Sequence, residues 1–173
     1  HATLAEAIHS HLFYRNVLEN MKRLPKSFCA NRLRGKFEGI PAIICGAGPS
    51  LKKAAPYLKK LENKALIFAG GSTLSALSHL KIKPHLGMAV DPNPREYDCV
   101  KGCRFTNIPF LYAGRVLPKV FEVFKGPLGY IRSGTGGACE AYFEKEFGIE
   151  DAFIGPELGR EALSVTTLAV AMA

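Results

Sequence analysis

After Gly39 the chain keeps returning to one pattern: a short apolar run ending on a small residue, followed by a segment of helical character. The runs are "PAIICG", "KALIFAG", "LGMAVD", "IPFLYAG" and "LGYIRSG", with a weaker sixth in "DAFIG". The helical segments between and after them are "LKKAAPYLKKLE", "STLSALSHLK", residues 94–101, "RVLPKVFEVF", "GACEAYFEKEFG" and a closing "SVTTLAVAMA". Near-continuous apolar strands alternating with helices are the pattern of βαβ units around a parallel sheet. The right-handed crossover rule then places helices on both faces. The expected fold is α/β, with a mainly parallel, doubly wound sheet. The closing helix has no stop signal after it, so residues 39–173 read as a C-terminally incomplete domain with at least one more strand to come.

Residues 1–38 follow a different rhythm. Leu4, Ile8 and Leu12 recur at four-residue steps, and Phe13, Val17, Met21 and Leu24 continue the stripe, which predicts an N-terminal helical arm. Pro25 should end or kink it, because the residue before proline is pushed out of the α region. A second short helical piece containing Phe28 and Leu33 then leads into the linker "RGKFEG". The Lys and Arg residues of the arm read as a solvated face, which argues against nucleic acid as a partner.

A chain of 173 residues with 47% hydrophobic and 22% charged residues can bury one good core. No apolar run approaches the roughly 20 residues of a membrane span, and the N-terminus lacks a signal-peptide pattern. The net charge of +8 calls for an anionic partner without choosing between nucleotide, nucleic acid and acidic lipid. Five cysteines, one inside the run "PAIICG", read as reduced thiols of a cytoplasmic protein. Cys99 and Cys103 have no matching second pair, which disfavours a zinc site.

In an open parallel sheet, ligands meet the carboxyl ends of the strands. The informative residues are therefore those following each run: Gly46-Ala47-Gly48-Pro49-Ser50, Gly70-Gly71-Ser72-Thr73, Asp91-Pro92-Asn93, Gly114-Arg115, and Ser133-Gly134-Thr135-Gly136-Gly137. In the first, glycine lets main-chain N–H groups approach a ligand, and Ser50 is placed to cap a helix whose N-terminus favours an anion. Lys52 and Lys53 add positive charge. Pro56 suggests that the regular helix starts nearer Lys53. A tight turn without a ligand explains the same residues. The match to G-x-G-x-x-G is partial, because Leu51 takes the third glycine's place. The acidic residue that binds ribose about 20 residues on is absent too, which disfavours a nicotinamide dehydrogenase.

Asp91 is the one carboxylate at a strand end. It could hold Mg²⁺ together with substrate phosphates, bond a sugar, act as a general base, or simply cap the turn before "PNP". Arg115 and Arg132 could neutralise a phosphate or lie on the surface. His79 and His85 have no carboxylate partner at readable spacing, and no G-x-S-x-G elbow occurs, so neither a catalytic histidine nor a nucleophile triad is assigned.

Three parts of the segment from "FEGIPAIICGAGPSLKK" to "MAVDPNP" occur together in a known family. They are the turn Gly46 to Leu51, the small-residue turn and helix from Gly70 to Leu80 with Ile82-Lys83-Pro84, and Asp91-Pro92. The chain here resembles the MptE-like domain found in the Maf (motility-associated factor) glycosyltransferases, over about residues 13 to 94. "GREALSVTTLAVAMA" resembles a later helix of that family, with Ala162-Leu163 where its glycine pair is expected. The resemblance implies a Rossmann-like nucleotide-binding domain with two chemistries. One is transfer of a nonulosonic, sialic-acid-like sugar from a CMP-sugar to a protein or other acceptor. The other is Mg²⁺-dependent transfer of pyrophosphate from ATP to a hydroxymethyl-dihydropterin. A binding module without catalysis is the third reading. On the first, Gly46, Ala47, Gly48, Pro49 and Ser50 hold the phosphate side of the nucleotide, and Gly71, Ser72, Pro92, Ser133 and Gly134 line the cleft. Asp91 contacts the donor or activates the acceptor. Asp91 is a metal ligand only on the second reading.

Overall fold

The computed structural model describes residues 2–132, 137–149 and 165–172. Its centre is a six-stranded, all-parallel sheet: β1 (Phe28–Cys29), β2 (Ala42–Cys45), β3 (Leu66–Gly70), β4 (Leu86–Ala89), β5 (Phe110–Ala113) and β6 (Leu128–Ile131). The spatial order is β1-β6-β5-β4-β3-β2. All of β4 and β5 is buried, as expected of central strands covered on both faces. β2 and β1 form the edges and are less enclosed.

From β2 to β6 every connection moves one strand in the same direction, so a right-handed crossover puts each on the same face. That face carries α2 (Ser50–Leu61), α3 (Ser72–His79) and α4 (Arg95–Val100). Leu51, Leu58, Leu74, Leu77 and Val100 pack there on Ile67, Ala69 and Tyr112. The connection from β1 to β2 runs the opposite way across the sheet, and the same rule assigns it to the opposite face. There Ala30 and Leu33 join Phe68, Leu86, Met88 and Val90. α6 (Val165–Met172) covers β2, β3 and β4 on this second face through Leu168 and Ala169. Alternating β3 residues thus feed the two cores, Ile67 one and Phe68 the other.

The arm helix, α1 (Ala2–Met21), lies against the first face, with Val17 and Met21 in its core. A 3-10 turn at Leu24–Lys26 contains Pro25, as expected for the end of that helix. The next segment differs from the sequence expectation. Phe28–Cys29 is a strand that pairs with Gly129 and Tyr130 of β6, followed by a 3-10 turn at Ala30–Leu33. A two-residue strand is too short to leave a periodic signal. The expected helix over "RVLPKVFEVF" is also replaced, by a 3-10 turn at Pro118–Glu122, because Pro118 interrupts the run. α5 (Gly137–Glu146) follows β6 as expected, and its buried Glu144 accepts a bond from the Tyr130 hydroxyl at 2.8 Å and pairs with Arg132. "DAFIG" lies outside the described residues.

Candidate functional site

The carboxyl ends of β2, β3 and β4 lie side by side and bring together three of the predicted groups: Gly46 to Ser50, Gly71 with Ser72, and Asp91 with Pro92. Gly46, Ala47, Gly48, Pro49 and Ser50 are all exposed. Neither glycine of this turn is required by the fold. Neither has a positive φ; among the described residues other than chain neighbours, no heavy atom lies within 4 Å of a Cβ built on Gly46, and the nearest to one on Gly48 is Ser50 Oγ at 3.9 Å.

Two details of the turn differ from expectation. The N-cap of α2 is Pro49, with no side-chain cap bond, and Ser50 is already the first helical residue. The helix therefore starts at Ser50, a turn earlier than the expected start near Lys53. Pro56 is exposed, so the helical carbonyl it leaves without a partner faces solvent, while Leu51, Ala55 and Leu58 anchor the buried side. The first turn of α2 holds no acidic residue and Lys52 and Lys53 are exposed on it, so nothing on the helix itself answers the positive end of its dipole.

At the end of β3 the requirement for glycine is physical. Gly71 has φ 51° and ψ −131°, a conformation that side-chain-bearing residues rarely adopt, and it forms the N-cap of α3. A Cβ on Gly70 would lie within bonding distance of Val165 Cγ1, so α6 rests directly on this strand end.

Asp91 is half-buried at the end of β4. Its Oδ1 accepts the Asn93 N–H at 3.0 Å and its backbone carbonyl accepts the Leu117 N–H at 3.0 Å. The turn-capping role is thus present in the structure. Pro92 is buried and its carbonyl is taken by α1: Asn16 Nδ2 donates to Pro92 O at 3.0 Å and to Arg115 O at 3.1 Å. One helical turn on, Asn20 Nδ2 donates to Gly114 O at 2.8 Å and Val116 O at 2.7 Å. Both asparagines are buried on the same face as Val17 and Met21. The Arg115 guanidinium lies over the Phe13 ring at 5.2 Å, and its Nε donates to Val90 O. Arg132 pairs with Glu144. Both arginines are therefore built into the fold. Ser133 and Gly134 lie outside the described residues.

Glu96, in the first turn of α4, was not singled out by the sequence. It is 6% exposed, and its Oε1 has no hydrogen-bond partner among the described residues. Burial, reinforced by the charge of Asp91, pushes its carboxyl up to about 7. The available signal was its position four residues before Val100, on the face that α4 buries. Asn16 and Asn20 could have been found in the same way. Among the described residues no group of three or more His, Cys, Asp or Glu side chains is placed to hold a metal ion, and no helix is long and apolar enough to cross a membrane.

An open parallel sheet with helices on both faces, and a glycine turn exposed beyond the carboxyl end of β2, defines an α/β domain of the doubly wound, Rossmann-like class. Within that class the chain belongs to the MptE-like family: the family model described as "6-hydroxymethylpterin diphosphokinase MptE-like" matches residues 15–173. No curated protein matches the chain. Among solved structures it is similar to a Maf glycosyltransferase from Magnetospirillum magneticum AMB-1, at 22% identity and a TM-score of 0.48, over 53% of this chain and 15% of that one.

Proposed function

We propose that this domain transfers a group from a nucleotide-linked donor to a hydroxyl acceptor, and that the donor is a CMP-activated nonulosonic sugar. The observation that carries the reading is the Gly46–Ser50 turn. Its glycines are demanded neither by neighbours nor by a positive φ, and they open onto a helix start without acid or side-chain cap. Backbone N–H groups approached closely by an anion account for that combination. Gly46, Ala47, Gly48, Pro49 and Ser50 would hold the donor phosphate, with Lys52 and Lys53 adding charge, and Gly71 and Ser72 would line the cleft. The acceptor hydroxyl would attack the anomeric carbon, its proton passing to Asp91, as the bond from that carbon to the phosphate oxygen breaks and CMP leaves. The chain would act chiefly by positioning and by stabilising charge on the leaving phosphate.

The family description favours a second reading, in which pyrophosphate is transferred from ATP to a pterin hydroxyl. Asp91, with Glu96 nearby, would then hold Mg²⁺, and the nucleotide phosphates would complete its shell, an arrangement usual for this ion. Both readings keep Gly46 to Ser50 as the phosphate turn. A thermal-shift titration with CMP, CTP and ATP, each with and without Mg²⁺, separates them. Ligand at a hundredfold excess over its Kd stabilises the native state by about 2.7 kcal/mol. A metal-independent CMP or CTP shift supports sugar transfer, and an ATP shift that requires Mg²⁺ supports pyrophosphate transfer. Absence of every shift overturns nucleotide binding by this chain.

A further inference from the structure

Dinucleotide-binding folds place a carboxylate at the end of the second strand of the unit, about 20 residues after the glycine turn, where it receives the ribose hydroxyls. Here that strand is β3, and it ends in Gly70-Gly71 with no acid. Yet a carboxylate is there. Among the described residues other than its chain neighbours, the heavy atom within 4 Å of a Cβ built on Gly71 is Glu96 Oε1, at 3.9 Å, delivered from α4 rather than from the strand. Because Gly71 has no side chain, the space between turn and carboxylate is otherwise open to described atoms. Glu96 itself is held by the fold. Its N–H donates to Asn93 O at 3.0 Å, and α4 is pinned to α3 by Ser75 Oγ donating to Cys99 O at 2.6 Å.

Resting on the nucleotide-binding reading above, we propose that Glu96 is the ribose-reading residue of the site, its Oε1 accepting a hydroxyl of the nucleotide sugar beside Gly71. Two observations support it besides position. The side chain is more than nine-tenths buried, and the oxygen facing Gly71 lacks a donor among the described residues. A buried acceptor without a donor costs stability, and a ligand hydroxyl supplies the missing partner. The strand-end carboxylate, Asp91, has Oδ1 engaged by Asn93 within its own turn, whereas the buried Glu96 Oε1 has no partner among the described residues. The ligand class is a ribonucleotide, discriminated from its 2′-deoxy counterpart.

The test compares binding of CMP with 2′-deoxy-CMP, and of ATP with 2′-deoxy-ATP, to the wild-type chain and to Glu96→Leu and Glu96→Gln, by calorimetry with and without Mg²⁺. At pH 8, where Glu96 is largely ionised, a hydrogen bond to its carboxylate predicts a ribose preference of about tenfold or more in the wild type. Glu96→Leu should bind both sugars equally, at the wild-type 2′-deoxy affinity. Glu96→Gln, which keeps the shape and one acceptor, should show a reduced preference; it decides the matter if the leucine variant does not fold. An undiminished preference in Glu96→Gln overturns the proposal. So does equal binding of ribo- and deoxynucleotides by the wild type, which would leave the nucleotide reading standing. An effect of Glu96→Gln confined to Mg²⁺-dependent affinity, equal for both sugars, would make Glu96 a metal ligand instead. Failure of every nucleotide to bind the wild type overturns both readings together.

Discussion

The two halves of the sheet's carboxyl edge are built on opposite plans. At the β4–β5 end, α1 lies across the loops, and the carbonyls of Pro92, Gly114, Arg115 and Val116 are all taken by two asparagine amides. At the β2–β3 end the turn from Gly46 to Ser50 stands exposed, the helix behind it has no side-chain cap, and a neighbouring buried carboxylate oxygen is left without a donor. One half satisfies its backbone internally; the other leaves groups that a ligand can satisfy. Closed and open stretches of backbone are thus separated along one edge, over a distance of a few strands.

The sharpest way to break this contrast is to remove the seal. Asn20→Ala leaves the carbonyls of Gly114 and Val116 buried without their amide donor, at about 1–3 kcal/mol each, so denaturant unfolding should show a loss of about 2–6 kcal/mol. Limited proteolysis should cut α1 sooner in the variant. An unchanged unfolding midpoint would mean that α1 does not hold this end closed.

Next in size is the effect of pH on the open half. The carboxyl of Glu96 is raised from near 4.5 to about 7, so the folded state keeps a proton that the unfolded chain has already lost. Relative to a non-ionising side chain, the folded state pays no penalty below pH 4.5, loses stability as pH rises, and reaches a plateau above about 7. At 1.36 kcal/mol per pH unit the loss amounts to about 3 kcal/mol. Unfolding from pH 4 to pH 8 should therefore find Glu96→Gln gaining stability over the wild type as pH rises. The charge of Asp91 adds to the effect, and Cys99 is raised in part by Glu96, so the difference reads Glu96 together with its coupling to these neighbours. A constant difference across the range would place Glu96 in water rather than in the fold.

The smallest expected change is at Gly71. Alanine there must adopt a strained φ of 51°, at about 1–3 kcal/mol, and its methyl enters the space before Glu96 Oε1. The same substitution at Gly46 meets no neighbour and no positive φ, so it should leave the melting temperature unchanged while weakening any phosphate ligand. Equal destabilisation by the two variants would erase the distinction between a glycine used by the fold and one used by a ligand.

What could be read from the sequence follows from burial. β4 and β5 are covered on both faces, so their residues are apolar throughout and announce themselves as runs. The same logic located the strand ends, and with them the turns at Gly46, Gly70 and Asp91. Phe28–Cys29 was illegible because two residues carry no period, and their partner lies about a hundred positions away in β6. Asn16, Asn20 and Glu96 were passed over for a different reason. Polar residues on helices are normally the solvated face, and only tertiary contacts show that these three point inward. The site residues hidden from the sequence are thus the ones whose chemistry and burial disagree.

The pairing of β1 with β6, and of α1 with the loops at 92 and 114–116, also sets a timetable. Every one of these partners lies at least 76 residues downstream of the segment it meets. A ribosome adding about 5–20 residues per second needs roughly 5 to 20 seconds to produce a hundred residues. Throughout that interval residues 1–30 lack these partners, although β2, β3 and β4 are already made together with α2 and α3. The glycine-turn half waits longer still, because α6, which rests on Gly70 through Val165 and covers β2, β3 and β4, is made after every strand of the sheet. The arm is thus made well before the pieces on which it docks.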